Sequence, residues 1–202
     1  MRNFALVLTA CLFMSGCVGS NTATMVNGEL DTAPRVMGLE YRDFEEAAAT
    51  TVNDMLASGA VNRPGGGRYV LVVSRIINDT MQNIDTDQLI KKIRVELLRS
   101  GKVVTTTAMG LGGAEDPMVA EARKLRQLDE VNQQSVAGKG KIIAPDLSLS
   151  GKIIQRNHRI NSSTQQVEYY FMLTLTDINS GLAFWEGETP IIKRGSSNSV
   201  SW

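Results

Sequence analysis

Residues 69–77 read YVLVVSRII, and residues 78–102 continue NDTMQNIDTDQLIKKIRVELLRSGK. The opening nine residues form a near-continuous β-branched run without helical spacing. That pattern predicts a central strand buried on both faces. Asn78 to Ile84 reads as a polar connection. Asp85 then opens a helix of about fifteen residues whose stripe is Leu89, Ile90, Ile93, Leu97 and Leu98. Gly101 stops it, and residues 102–107 return as a short strand.

Working outward, residues 43–57 carry apolar side chains at spacings of three and four, from Phe44 to Leu56. This predicts a first helix capped by Asp43, with Glu45 and Glu46 near the positive end of its dipole. Past the glycine-rich loop at 110–113, Pro117 starts a third helix expected over 117–134. The chain then reads as β: strands at 145–156, 167–177 and 182–194. Asn179-Ser180-Gly181 is a tight turn between the last two, and Pro190 marks an edge or a strand end. Helices come early and an antiparallel hairpin closes the chain. The fold class is α/β (α+β): a small mixed sheet of four or five strands with about three helices packed on it.

Alternation separates Tyr169 and Phe171 from Tyr170 and Met172 on the two faces of one strand. One set belongs to the core, and the favoured expectation for the other is a covering helix rather than an exposed patch. Trp185, two residues before Gly187, reads as structural.

The N-terminus reads MRNFALVLTACLFMSGCVGS. Arg2 supplies a positive n-region. An uncharged run from Phe4 to Phe13 has the length of a signal h-region and is too short to span a bilayer. Ser15-Gly16-Cys17 then resembles a lipobox, in which the Cys is acylated and becomes residue one after cleavage. On this reading residues 1–16 are a lipoprotein signal peptide and Cys11 is discarded with it. Cys17 carries the lipid, and the mature chain has neither free thiol nor disulfide. Residues 17–38 are the anchor and a flexible tether with an r.m.s. reach of about 25 Å. Residues 39–195 are a globular domain and 196–202 a loose tail. Acyl chains hold a protein at a membrane without spanning it. Without Asp after the Cys, the expected place is the outer membrane, facing the periplasm.

The 202 residues carry 21 basic and 21 acidic side chains. Zero net charge argues against a nucleic-acid binder driven by bulk electrostatics. The single histidine, His158, removes any two-His metal site. It lies in QRNHRINSST, read as an exposed polar loop. The glycine clusters lack the order of strand, loop, Lys-Ser/Thr and helix that a phosphate loop needs. No Gly-x-Ser-x-Gly elbow occurs. Nothing here asks for a cofactor, a metal or a small-molecule substrate, and no enzyme is expected.

Residues 72–102, the run YYFMLTLTDINSGLAFWEG at 169–187, the lipobox and the early amphipathic helix together resemble the LpoB family. These are outer-membrane lipoproteins that activate bifunctional class A penicillin-binding proteins. The resemblance covers about residues 40–195. It implies a non-enzymatic domain of the TolB N-terminal type that touches a periplasmic docking domain of a peptidoglycan synthase. It also implies stimulation of glycan polymerisation and crosslinking. Asn78, Asp79, Thr80 and Asn83 are the expected contact residues. One departure is the tether, which is short and holds a single proline, Pro34, where the best-known members have a long proline-rich linker. The alternative function is an accessory lipoprotein of an envelope assembly, such as a secretion pore or a flagellar-associated complex.

Overall fold

The computed structural model describes residues 23, 25–28, 30–110 and 115–199. The chain divides into two units, Met1–Thr32 and Ala33–Trp202. In the first, the described residues include a turn in which Leu30 N–H donates to the Asn27 carbonyl. Cys11, Cys17 and the whole signal segment lie outside the described residues.

The second unit runs α1 (Tyr41–Ala57), β1 (Tyr69–Asp79), α2 (Thr86–Arg99), β2 (Val103–Thr105), α3 (Pro117–Lys124), β3 (Leu147–Arg159), β4 (Thr164–Asp177) and β5 (Ala183–Ser196). The five strands form one mixed sheet in the order β2-β1-β3-β4-β5. β1 pairs in parallel with β2 and β3, and β3, β4 and β5 pair antiparallel. The fold is α+β, as the order of sequence patterns implies. The parallel pairing of β1 and β2 requires a crossover, and α2 supplies it. Asp85 caps α2, its Oδ1 accepting from the backbone N–H of Asp87 at 2.9 Å. Gly101 ends it at φ 67°, where a β-carbon would be strained.

The core lies between one sheet face and two helices. α1 contributes Ala47, Ala48, Val52 and Met55, and α2 contributes Leu89, Ile90, Ile93 and Leu97. Leu71, Val73, Leu149, Ile153, Phe171 and Leu173 meet them from the sheet. Alternation in β4 is complete: Val167, Tyr169, Phe171, Leu173 and Leu175 are buried, and the residues between them are not. Trp185 packs at the rim of this core and donates from Nε1 to Asp54 Oδ2 at 3.1 Å. Its indole lies where a β-carbon on Gly187 would stand, which explains glycine there.

Several expectations need correction. Asp43 is not the cap of α1. Glu40 holds that place, and Asp43, one turn in, accepts from the Glu40 N–H at 2.8 Å. Asp43 is instead a buried carboxylate between Arg35 and Lys193. Leu98 is exposed, one step off the buried stripe of α2. α3 ends at Lys124, passes through a 3-10 turn at Leu125–Gln127, and buries no residue. Beyond that turn the backbone is held by side chains instead of a helical ladder. Gln133 Nε2 donates to the carbonyls of Leu125, Leu128 and Val131, while Arg126 reaches Ala137 and Gly138.

Asn78 and Asp79 belong to β1 rather than to a connection. His158 is in β3, paired with Gln166, not in a loop. The end of the stretch read as tether is bound to the sheet. Lys193 Nζ donates to the carbonyls of Val36 (2.9 Å) and Gly38 (2.6 Å), and Met37 packs on Val167 and Tyr169. β5 takes in Ser196, and Ser197 N–H donates to the Ser163 carbonyl, so these two residues of the expected tail are bound to the sheet. Pro190 stands on β5, the outer strand, where a missing N–H breaks no ladder bond on the free side.

Candidate docking face

The second face of the sheet decides what the domain can do. In β3 and β4 the residues between the core positions all point to it, because side chains alternate along a strand. Cross-strand register then sets its rows. Ser150, Thr174 and Glu186 form one, and Ile77, Lys152, Met172 and Glu188 the next. Asp79, Ile154, Tyr170 and Pro190 follow, then Arg156, Glu168 and Ile192, then His158, Gln166 and Arg194.

This face is open. Ile77 is 52% exposed and Ile192 58%, and α3 has no buried residue with which to cover them. The expected helix cover over Tyr170 and Met172 is therefore absent among the described residues. α1 and α2 both pack on the opposite face, and the third helix is too short to span this one. Arg75, Lys152, Met172, Glu186 and Glu188 line one shallow trough across it.

Charge on the face is divided by side. Arg75, Lys152 and Arg156 stand on β1 and β3, and Glu168, Glu186 and Glu188 on β4 and β5. Each side holds one exception, Asp79 on β1 and Arg194 on β5. Lys152 Nζ lies 2.5 Å from Asp79 Oδ2. Glu168 is the most heavily bonded group of the face. It accepts from Tyr170 Oη and Gln166 Nε2, both at 2.7 Å, and His158 Nε2 lies 3.3 Å away. The Tyr170 hydroxyl, then Gln166 and His158, hold the Glu168 carboxyl below its ordinary pKa. The same bond raises Tyr170, whose ring carries the Arg156 guanidinium 5.5 Å from its centre. Among the described residues no group of three His, Cys, Asp or Glu side chains could hold a metal ion.

The four residues expected from sequence to make contact lie at the end of β1 and in the turn after it, on the β1 side of the sheet. Asn78 and Thr80 are committed to a turn. Asn78 Nδ2 donates to the Gln82 carbonyl at 2.7 Å, and Asn78 Oδ1 accepts from Thr80 Oγ1 at 2.7 Å. Gln155 Oε1 accepts from Met81 N–H and Gln82 Oε1 from Leu39 N–H, which pins the turn to β3 and to the segment before α1. Asp79 and Asn83 are exposed, and Asp79 alone of the four shares an ion pair with the open face. Sequence reasoning missed Arg75, Lys152, Arg156, Glu186 and Glu188 as a surface. Alternation could have assigned those of β3 and β5 to one face, but not shown that the face is bare.

No helix among the described residues is long and apolar enough to cross a membrane. Among curated proteins, none matches the chain. Among solved structures, the LpoB C-terminal domain from Escherichia coli aligns at 18% identity with a TM-score of 0.44, covering 74% of this chain and 98% of that one. The LpoB C-terminal domain from Salmonella enterica aligns at 16% identity with a TM-score of 0.43 and the same coverage. The lipoprotein GNA1162 from Neisseria meningitidis aligns at 15% identity with a TM-score of 0.35, covering 66% of this chain and 87% of that one. The family model described as peptidoglycan-synthase activator LpoB matches residues 43–191, from α1 into β5. The chain belongs to the LpoB family of peptidoglycan-synthase activators.

Proposed function

We propose that this chain is a lipid-anchored periplasmic regulator that binds a bifunctional class A penicillin-binding protein and stimulates its glycan polymerisation and crosslinking. The observation that carries this reading is the family match over residues 43–191. The partner surface is the periplasmic docking domain of the synthase. On this chain the contact includes the end of β1 and the turn after it, with Asn78, Asp79, Thr80 and Asn83. The turn is pre-ordered by its own hydrogen bonds, so docking there loses little conformational entropy. Activation follows if the docked chain binds the active conformation of the synthase more tightly than the resting one.

The anchor is Cys17, acylated after removal of residues 1–16, and the membrane is the outer membrane. Cys17→Ser should abolish palmitate incorporation and move the protein to the soluble fraction. Retention of label by the variant would reject the anchor. The regulatory role is tested with a chain lacking residues 1–17, mixed with the class A synthases of the same cell. Binding and faster glycan polymerisation are expected. Absence of both with every synthase would reject the reading.

A further inference from the structure

The open sheet face is complementary to itself. Consider a two-fold axis lying against this face, parallel to the strands and midway between β3 and β4. It carries β3 of one copy over β4 of the other and β1 over β5, and it keeps every residue at its own height along the strands. Register then dictates what meets. Arg156 of one copy stands over Glu168 of the other, since the two share a row. Ile154 stands over Tyr170, again within one row. At β1, Arg75 and Ile77 come over the rows that end in Glu186 and Glu188. Both charge pairings occur twice, once on each side of the axis.

We propose that two copies of this chain associate through their open faces in this arrangement. The occupant is a second copy because the face carries basic groups on one side of its midline and acidic groups on the other. Only an axis along the strands brings those sides together in identical molecules. Asp79 and Arg194, the two charges of the opposite sense, lie in the rows of Pro190 and His158. Asp79 then faces Pro190, and Arg194 faces no acidic group of the partner.

The area is sufficient. Five rows at about 6.8 Å spacing and four strands at about 4.8 Å give a footprint of roughly 650 Å² per copy. A standard stable interface buries about 800 Å² per partner once surface relief is counted. Aligned packing of two sheets at about 30° preserves the row-on-row match near the centre.

The position of the N-terminal segment supports the same axis independently. Residues Val36 to Gly38 are held at the end of the sheet by Lys193, Tyr169 and Gly195. An axis along the strands leaves these segments of both copies at the same end of the dimer. On the lipid-anchor reading proposed above, both tethers then lead to one membrane. An axis across the strands would send them to opposite ends.

The test uses the mature chain with Cys17→Ser, followed by sedimentation velocity from 1 to about 200 μM, a range in which an interface of this size associates. The expected result is a concentration-dependent dimer. Arg75→Glu and Glu186→Lys are surface changes, and each places like charges at both symmetric contacts. Either variant alone should weaken association at least tenfold. Mixed in equal amounts they should form a heterodimer, because one contact stays native and the other is a swapped pair. A wild-type chain that stays monomeric, or variants that dimerise like the wild type, would overturn the proposal, as would a mixture that does not pair. None of these measurements includes the synthase, so their failure is separable from failure of the regulatory reading.

Discussion

Lys193 Nζ lies 2.5 Å from Asp43 Oδ2, across 150 positions of sequence. Lys193 is on β5 and only 8% exposed, and Asp43 is in the first turn of α1 and 1% exposed. Arg35 completes the arrangement, with NH1 2.9 Å from Asp43 Oδ1. The pair fastens three parts of the domain: the outer strand, the first helix and the segment before it. Each charge is also supplied with neutral partners, the Val36 and Gly38 carbonyls for Lys193 and the Glu40 N–H for Asp43.

Removing one member of this pair should be costly, because the other charge stays buried. Lys193→Met is expected to destabilise the domain by about 3 kcal/mol, at the lower end for a broken buried pair because Arg35 remains. Asp43→Asn should cost a comparable amount. Urea unfolding of both single variants and the double variant checks this. The double variant should lose clearly less than the two single losses added.

Gly187→Ala should fail for steric reasons. The added methyl group would overlap the Trp185 indole, and the ring can move only by giving up its bond to Asp54. A loss of about 1–3 kcal/mol is expected, the usual cost of overpacking. Trp185→Leu in the same chain should recover part of it. Equilibrium unfolding of the single and double variants distinguishes this from a loss intrinsic to the strand backbone.

Tyr169 should titrate late. Burial, and then the nearby Asp43 charge, push its hydroxyl up to about 12. The folded value exceeds the unfolded value of about 10, so the folded chain holds this proton more tightly. The Tyr169 contribution is complete below about pH 10 and is lost as pH rises from about 10 toward about 12. Ultraviolet difference titration should show a late step that Tyr169→Phe removes. Equal steps in both proteins would contradict the assignment.

The turn after β1 separates structural residues from contact residues. Asn78→Ala removes bonds within the turn and should cost about 1 kcal/mol. Asp79→Ala and Asn83→Ala should leave stability within about 0.5 kcal/mol, as surface changes do. If the proposed contact is right, those two should still weaken synthase binding. Titration of each variant against the synthase, beside its urea curve, measures both effects. Full binding by Asp79→Ala and Asn83→Ala would move the contact elsewhere.

Much of the fold was legible because its signals are local. The β-branched run at 69–77, the Asp85 cap, the stripe of α2 and the Asn-Ser-Gly turn each specify an element through nearest neighbours. The helix at 117–134 was overread for the same reason. Spacing alone cannot show that the backbone leaves the helix through a 3-10 turn at Leu125–Gln127. Asp43 was misplaced because a carboxylate near a helix start reads as a cap, while its partner Lys193 is far away in sequence. Of the expected contact residues, Asn78 and Thr80 turned out to bond one another, which composition does not reveal.

The sequence by itself determined the elements, the class of fold, the faces of β4 and the family resemblance. All of these rest on periodicity, on caps and turns, and on short quoted segments. The tertiary structure decided which sheet face is bare, that His158 sits beside Glu168, and that basic and acidic groups divide at the sheet midline. The physical reason is register. Alternation within one strand sets which side chains share a face, but only pairing between strands sets which of them become neighbours. Only the placement of every helix settles whether that face meets protein or water.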